Sequence, residues 1–160
     1  MSLKTITELS NFYGADQRFV LAGGGNTSYK DNDHLYVKPS GVTLAKIKET
    51  DFVKMSREKI RNVFSLDETK FQAAEREAVV KKIMSDAVAF DSTGRPSVEA
   101  PLHESLPYKY VVYLHPCFVN GMTCSNNGTA ECAKLFPDAL WVGYVDPGYT
   151  LAKYVAGELD

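Results

Sequence analysis

The clearest periodic pattern in the chain is "TKFQAAEREAVVKKIMSDAVAF" (69–90). Apolar residues recur there at three- and four-residue spacing, and Glu77 and Lys81 form an i,i+4 pair on the charged face, which predicts a helix. A shorter helical pattern, "LKTITELSNFYG", opens the chain, with Gly14 as its expected C-cap. Strand-like runs follow. "RFVLAGGGNTSYK" passes from an apolar run through three glycines into a strand, and "HLYVKPSG" is a strand stopped by Pro39, with "KDND" as the hairpin between them. "DFVKMS" predicts another short strand. After "STGR" come a short helix in "VEAPLHESL", a strand "YVVYLH", and helices near 118–124 and 129–136. A strand "LWVGYV", a turn at Asp146-Pro147-Gly148 and a last helix "YTLAKYVAGEL" complete the series. Hairpin strands interleaved with helices imply a layered α/β domain with a mixed or antiparallel sheet.

At 160 residues the length favours one domain with a real core. A net charge of −2 offers nothing to a polyanion, so neither nucleic acid nor a membrane surface is an expected partner. The N-terminus is too polar for a signal peptide, and no apolar run would span a bilayer. Cys117, Cys124 and Cys132 lack CxxC spacing and are expected as reduced, buried thiols of a cytoplasmic protein.

Three loops carry candidate chemistry. "AGGGNTS" is followed by neither Gly-Lys-Ser/Thr nor a helix, so it is no P-loop and no dinucleotide fingerprint; its exposed backbone N–H groups beside Asn26 would make an anion nest. "KPSG" adds Lys38, Ser40 and Gly41, and "RPSVE" adds Ser97 near a helix N-terminus. Glu99 is expected in the first helical turn, either as a dipole-stabilised acid or as a general acid/base. His103, at i+4, is expected to pack, and His34 to face solvent. Along "YVVYLH" the alternation puts Val111, Tyr113 and His115 on one side, and Tyr110, Val112 and Leu114 on the other. Two histidines at 113 and 115 would chelate one zinc ion; here the first position is a tyrosine. Trp141, Val111, Val112 and Leu114 read as core.

In order and spacing, "GGGNTSYK", "VKPSG", "RPSVEAPLH" and "VVYLHP" resemble the class II aldolase/adducin family. The resemblance covers about residues 5 to 155 and implies a three-layer α/β/α fold around a mainly antiparallel sheet, usually in a homotetramer. It also implies a zinc-dependent lyase that cleaves a ketose phosphate by retro-aldol chemistry. Carried over residue by residue, Glu99 matches the acid/base and His115 one zinc histidine, with Tyr113 at the position of another. Gly25, Asn26, Ser40, Gly41 and Ser97 match phosphate-loop positions, and Lys38 adjoins them. Val98 stands where several members carry a phosphate-contacting serine, and the family's remaining zinc histidine belongs to a segment beyond Asp160. The family also contains non-enzymatic adducins and a sugar-phosphate 4-epimerase whose motif "KPSG" matches. A binding or assembly module and an epimerase are therefore the alternative readings.

Overall fold

The computed structural model describes residues 3–159. Helix α1 (Leu3–Gly14) is followed by the hairpin β1 (Asn26–Lys30) and β2 (His34–Val37) and by β3 (Val53–Ser56). Then come α2 (Arg57–Arg61), α3 (Ala73–Ala87), α4 (Ala100–Ser105), β4 (Tyr110–Tyr113), α5 (Cys117–Thr123), α6 (Gly128–Leu135) and α7 (Tyr149–Leu159). The strands form one four-stranded sheet in the order β3-β2-β1-β4, every neighbouring pair antiparallel. None of the described helices is long and apolar enough to cross a membrane.

Alternation along the strands sends side chains to two helical layers. On one face Tyr29, Tyr36, Tyr110 and Val112 pack with Ile6 of α1 and with Ile47 and Phe52. On the other, Leu35, Val37, Val53 and Met55 are fully buried against Ile60 of α2 and Val80 and Met84 of α3. Each such side chain contributes roughly 1.5–3 kcal/mol by leaving water. Leu102 of α4 packs with Ala152 and Val155 of α7. The expected three-layer arrangement around an antiparallel sheet is therefore present.

The hairpin is set by Asp31, whose Oδ1 accepts from the backbone N–H of Asp33 and His34 at 2.9 and 2.6 Å. That pairing leaves His34 half-buried instead of solvent-facing. Gly14 ends α1 as its last residue because a Cβ there would lie 2.2 Å from the backbone nitrogen of Ala45, so close approach is what it supplies.

Several expectations are corrected. The segment 140–145 pairs with no strand among the described residues: Val142 is instead satisfied against the α4–α7 core, and Trp141, half-buried, covers Gly128. The strand "YVVYLH" ends at Tyr113, since the N–H of His115 turns away to the carbonyl of Phe19, and Val112 and Leu114 are only half-buried. The long helix is shorter than its pattern and spans Ala73–Ala87. The five-residue α2 shows no period in sequence; it starts where the Ser56 hydroxyl accepts from Lys59 N–H. Cys117 and Cys124 are exposed on the outlying α5 and its end, and Cys132 alone is buried.

Candidate functional site

Strand β1 ("NTSYK") is almost wholly buried although every residue in it is polar or aromatic. Its polar side chains therefore need partners, and alternation divides them. Thr27 faces α1 and shares a 2.8 Å hydrogen bond with the hydroxyl of Ser10. Asn26, Ser28 and Lys30 face α4. Ser28 Oγ meets His103 Nδ1 at 2.7 Å, and the Lys30 ammonium donates to the carbonyls of His103 and Leu106 at the C-terminal end of α4. These contacts align α4 along β1. His103 is packed, as expected.

Alignment of α4 delivers Glu99. It is the N-cap of α4, not a first-turn residue, with φ −88° and ψ 0°; Pro101 sits in the first turn, where its missing N–H costs no helix bond. The Asn26 side-chain amide donates to Glu99 Oε2 at 2.9 Å, and the Ser97 hydroxyl lies 3.4 Å from the same oxygen while accepting from Glu99 N–H at 3.2 Å. Asn26 and Ser97, expected from sequence as phosphate contacts, bond the Glu99 carboxylate in the fold.

Tyr113 is paired directly with Asn26 across β1 and β4. Burial pushes its phenol pKa up, and the adjacent Glu99 carboxylate pushes it further by charge and hydrogen bonding. The exposed His115 lies edge-on to the Tyr113 ring, with centroids 4.9 Å apart. Lys38 extends β2 by one residue, its N–H donating to the Thr27 carbonyl at 3.0 Å. Burial lowers its ammonium pKa, and the Glu99 charge partly restores it. Its Nζ approaches the carbonyls of Gly23 and Pro39 at 3.5 and 3.4 Å.

The remaining loop residues border this cluster. Gly25 has φ +71°, and a Cβ there would lie 2.8 Å from Leu44 Cδ1 and 3.1 Å from the carbonyl oxygen of Tyr113. Ser40 N–H donates to Arg95 O at 3.0 Å, and Pro39 bridges to Pro96, so the "KPSG" and "RPS" loops lie side by side. Gly41, exposed with φ +87°, keeps open space where a side chain would stand. Val98 is 61% exposed. A cavity of about 1040 Å³ lies between α3 and the 94–98 loop; Ser97 and Val98 line it, whereas Asn26, Glu99, Tyr113 and His115 do not.

Among the described residues the donor set for zinc is incomplete. A zinc site takes about four N, S or O ligands, and the described residues contain no group of three His, Cys, Asp or Glu able to hold a metal. His115 contributes one imidazole and Glu99 one carboxylate.

The family model of the class II aldolase and adducin N-terminal domain matches residues 5–160. The chain belongs to that family. Among solved structures it is similar to the N-terminal class II aldolase domain of a conserved protein from Thermoplasma acidophilum, with 28% identity and a TM-score of 0.85 over 98% of this chain and 75% of that one. It shares its fold with the L-fuculose-1-phosphate aldolase of Thermus thermophilus, at 14% identity and TM-score 0.59 over 98% of this chain and 69% of that one. It is also 33% identical over 157 residues to the uncharacterized oxidoreductase YuxG of Bacillus subtilis. That match covers 92% of this chain and only 22% of the relative's length. The class II aldolase fold places the glycine loop, "KPSG" loop and α4 cap of this chain at one end of the sheet.

Sequence reasoning missed the Asn26–Glu99 bond and the support that Ser28 and Lys30 give α4. The signal was available: a strand of alternating polar residues predicts one polar row facing a helix.

Proposed function

We propose that this domain is an aldolase-type lyase that cleaves a phosphorylated ketose by retro-aldol chemistry, with Glu99 moving the proton. The observation that carries this reading is the 2.9 Å bond from Asn26 to Glu99 Oε2, which sets a carboxylate at the end of β1, where Tyr113 pairs with Asn26 and the glycine loop enters the sheet. In such a cleavage a hydroxyl proton leaves as the C–C bond breaks, and a carboxylate held in place is suited to take it. Asn26 and Ser97 both bond Oε2, and a carboxylate has about four acceptor positions, so capacity remains for substrate. Backbone N–H groups around Gly25 and Gly41, with Ser40 and Ser97, form the phosphate end. A sugar phosphate agrees with the name of the Thermus relative.

Zinc enters this reading only as a family expectation. His115 and Glu99 are the residues that would contribute to it, and the rest of the ligand set is missing from the described residues. Self-association into a tetramer is likewise proposed from the family, and light scattering measures it.

The test is turnover on a panel of ketose 1-phosphates, with aldehyde and triose phosphate measured separately. Wild type should release both products, and Glu99→Gln should be slower by about 10²–10⁴-fold. The tyrosine at 113 favours one second reading, a non-catalytic binding or assembly module. Sugar-phosphate binding without turnover, unchanged in Glu99→Gln, would establish it. A C4 epimer appearing without free aldehyde would mean epimerisation.

A further inference from the structure

Helix α4 carries the Glu99 carboxylate but has little local reason to hold it still. It is six residues long, about 9 Å at the usual rise, and helices that short are marginal on their own. Its cap adds nothing, because the Glu99 side chain makes no capping bond to the helix and turns to Asn26 instead. The grip on α4 is tertiary and comes from two sides. From β1, Ser28 and Lys30 hold His103 and the C-terminal carbonyls. From α2, two guanidinium groups hold Glu104, whose side chain is 2% exposed. The Arg57 Nε–H is shared between the two carboxylate oxygens at 3.1 and 2.9 Å, and the Arg61 Nε–H reaches Oε1 at 2.9 Å. Arg57 is itself anchored: its Nη1 donates to the Asp31 carbonyl at 2.7 Å and its backbone N–H to the Asp33 carbonyl at 3.0 Å. His103 and Glu104 are consecutive, so the two grips act about 100° apart around the helix axis.

We propose that Glu104 is a positioning residue, through which Arg57 and Arg61 set the roll of α4 and so bring Glu99 to Asn26. A helix gripped along one side can turn about that side, and a second grip a quarter-turn away removes the freedom. So short a helix moves as a rigid rod, and a shift at Glu104 is carried to the cap at its other end. The buried charge fits such a task. An ion pair that served stability alone could be replaced by apolar contacts of the same volume at little cost, whereas a carboxylate bonded by two guanidinium groups also fixes a direction. Arg57 carries that direction from the β1–β2 hairpin, so hairpin, α2 and α4 share one frame. Arg61 is the weaker arm, because its side chain is 58% exposed and solvent screens its charge. The kinetic consequence of this clamp rests on the aldolase reading; the geometric one does not.

The probe is the Asn26 side-chain amide, read by NMR of its N–H protons and assigned by its loss in Asn26→Ala. Its bond to Glu99 displaces the signal, and Glu99→Ala gives the position of the unbonded amide. Glu104→Gln keeps the shape and removes the charge, and it should shift the amide toward the Glu99→Ala position. Arg57→Lys keeps a charge but loses the fixed geometry of the guanidinium. It should shift the amide the same way, and it decides the matter if Glu104→Gln does not fold. Arg61→Met should shift it least. Ile6→Val loosens the opposite layer and should leave the amide in place, which separates repositioning from a general loss of stability. An amide unmoved in folded Glu104→Gln or Arg57→Lys would overturn the proposal, and so would an equal displacement in Ile6→Val. In turnover of a ketose phosphate, Glu104→Gln should lower kcat by about tenfold with little change in KM. It should add little to Asn26→Ala, since both act on one bond, and full additivity would overturn the proposal. Absence of turnover in wild type would remove the aldolase reading alone, because the amide shift is read without substrate.

Discussion

Asn26 and Glu99, 73 residues apart, are joined by a 2.9 Å hydrogen bond from amide to carboxylate. One comes from the first residue of β1 and the other from the cap of α4, so the bond ties the sheet to the helix at the place where the glycine loop enters. Removing the amide should leave phosphate binding intact and misdirect the carboxylate. Asn26→Ala is expected to lower kcat by about 10–100-fold with a small change in KM, because a positioning loss of this kind acts on the reacting geometry. A change confined to KM would count against this role for Asn26.

Tyr113→His would place two imidazoles on alternate positions of one chain segment, 113 and 115, next to the Glu99 carboxylate. That gives three ligands of the kinds zinc accepts. The variant is expected to copurify with zinc at a clearly higher metal-to-chain ratio than wild type, read by elemental analysis, and to lose it in His115→Ala background.

His103 is fully buried, its Nδ1 against Ser28 and its Nε2 without a hydrogen-bond partner. Burial, helped by the Lys30 charge, lowers its pKa to about 3. The unfolded chain therefore binds a proton near pH 6.5 that the fold refuses until about pH 3. Stability is complete above pH 6.5 and falls with acid through that window, by up to about 1.4 kcal/mol per pH unit. Urea unfolding at pH 7, 5.5 and 4.5 should show this slope reduced in His103→Gln; parallel curves would show that the histidine does not set it.

Gly25→Ala meets two obstacles, a φ of +71° and a Cβ 2.8 Å from Leu44 Cδ1. A loss of at least about 1 kcal/mol is expected, with reduced affinity for inorganic phosphate because the glycine loop must shift. Thermal melting and phosphate titration measure the two effects. Gly41→Ala, with φ +87° and no neighbouring atom, should show the strain without the clash.

Much of this molecule was legible in its sequence, for local reasons. Period and turn chemistry located α1, the β1–β2 hairpin and α7, and alternation placed Tyr113 and His115 side by side at the end of β4. The sequence also identified Glu99, Asn26 and the glycine loop as chemistry-bearing, through ordered motifs that match the family. Other features depended on contacts between distant segments. In 140–145 Val142 packs on α4 and α7 while Leu140 and Tyr144 stay exposed, and no strand forms there among the described residues, because an alternating pattern does not name the partner a segment will find. The N-cap position of Glu99 depends on Ser28 and Lys30 holding α4 to β1, and the amide that orients it lies on another element. Lys38 reads in sequence only as a cation adjoining the phosphate loops, and its near-complete burial at the end of β2 comes from packing. Local sequence sets which groups a segment carries and which way they alternate; only the packed sheet and helices decide which of those groups meet, since desolvation and charge depend on neighbours far along the chain.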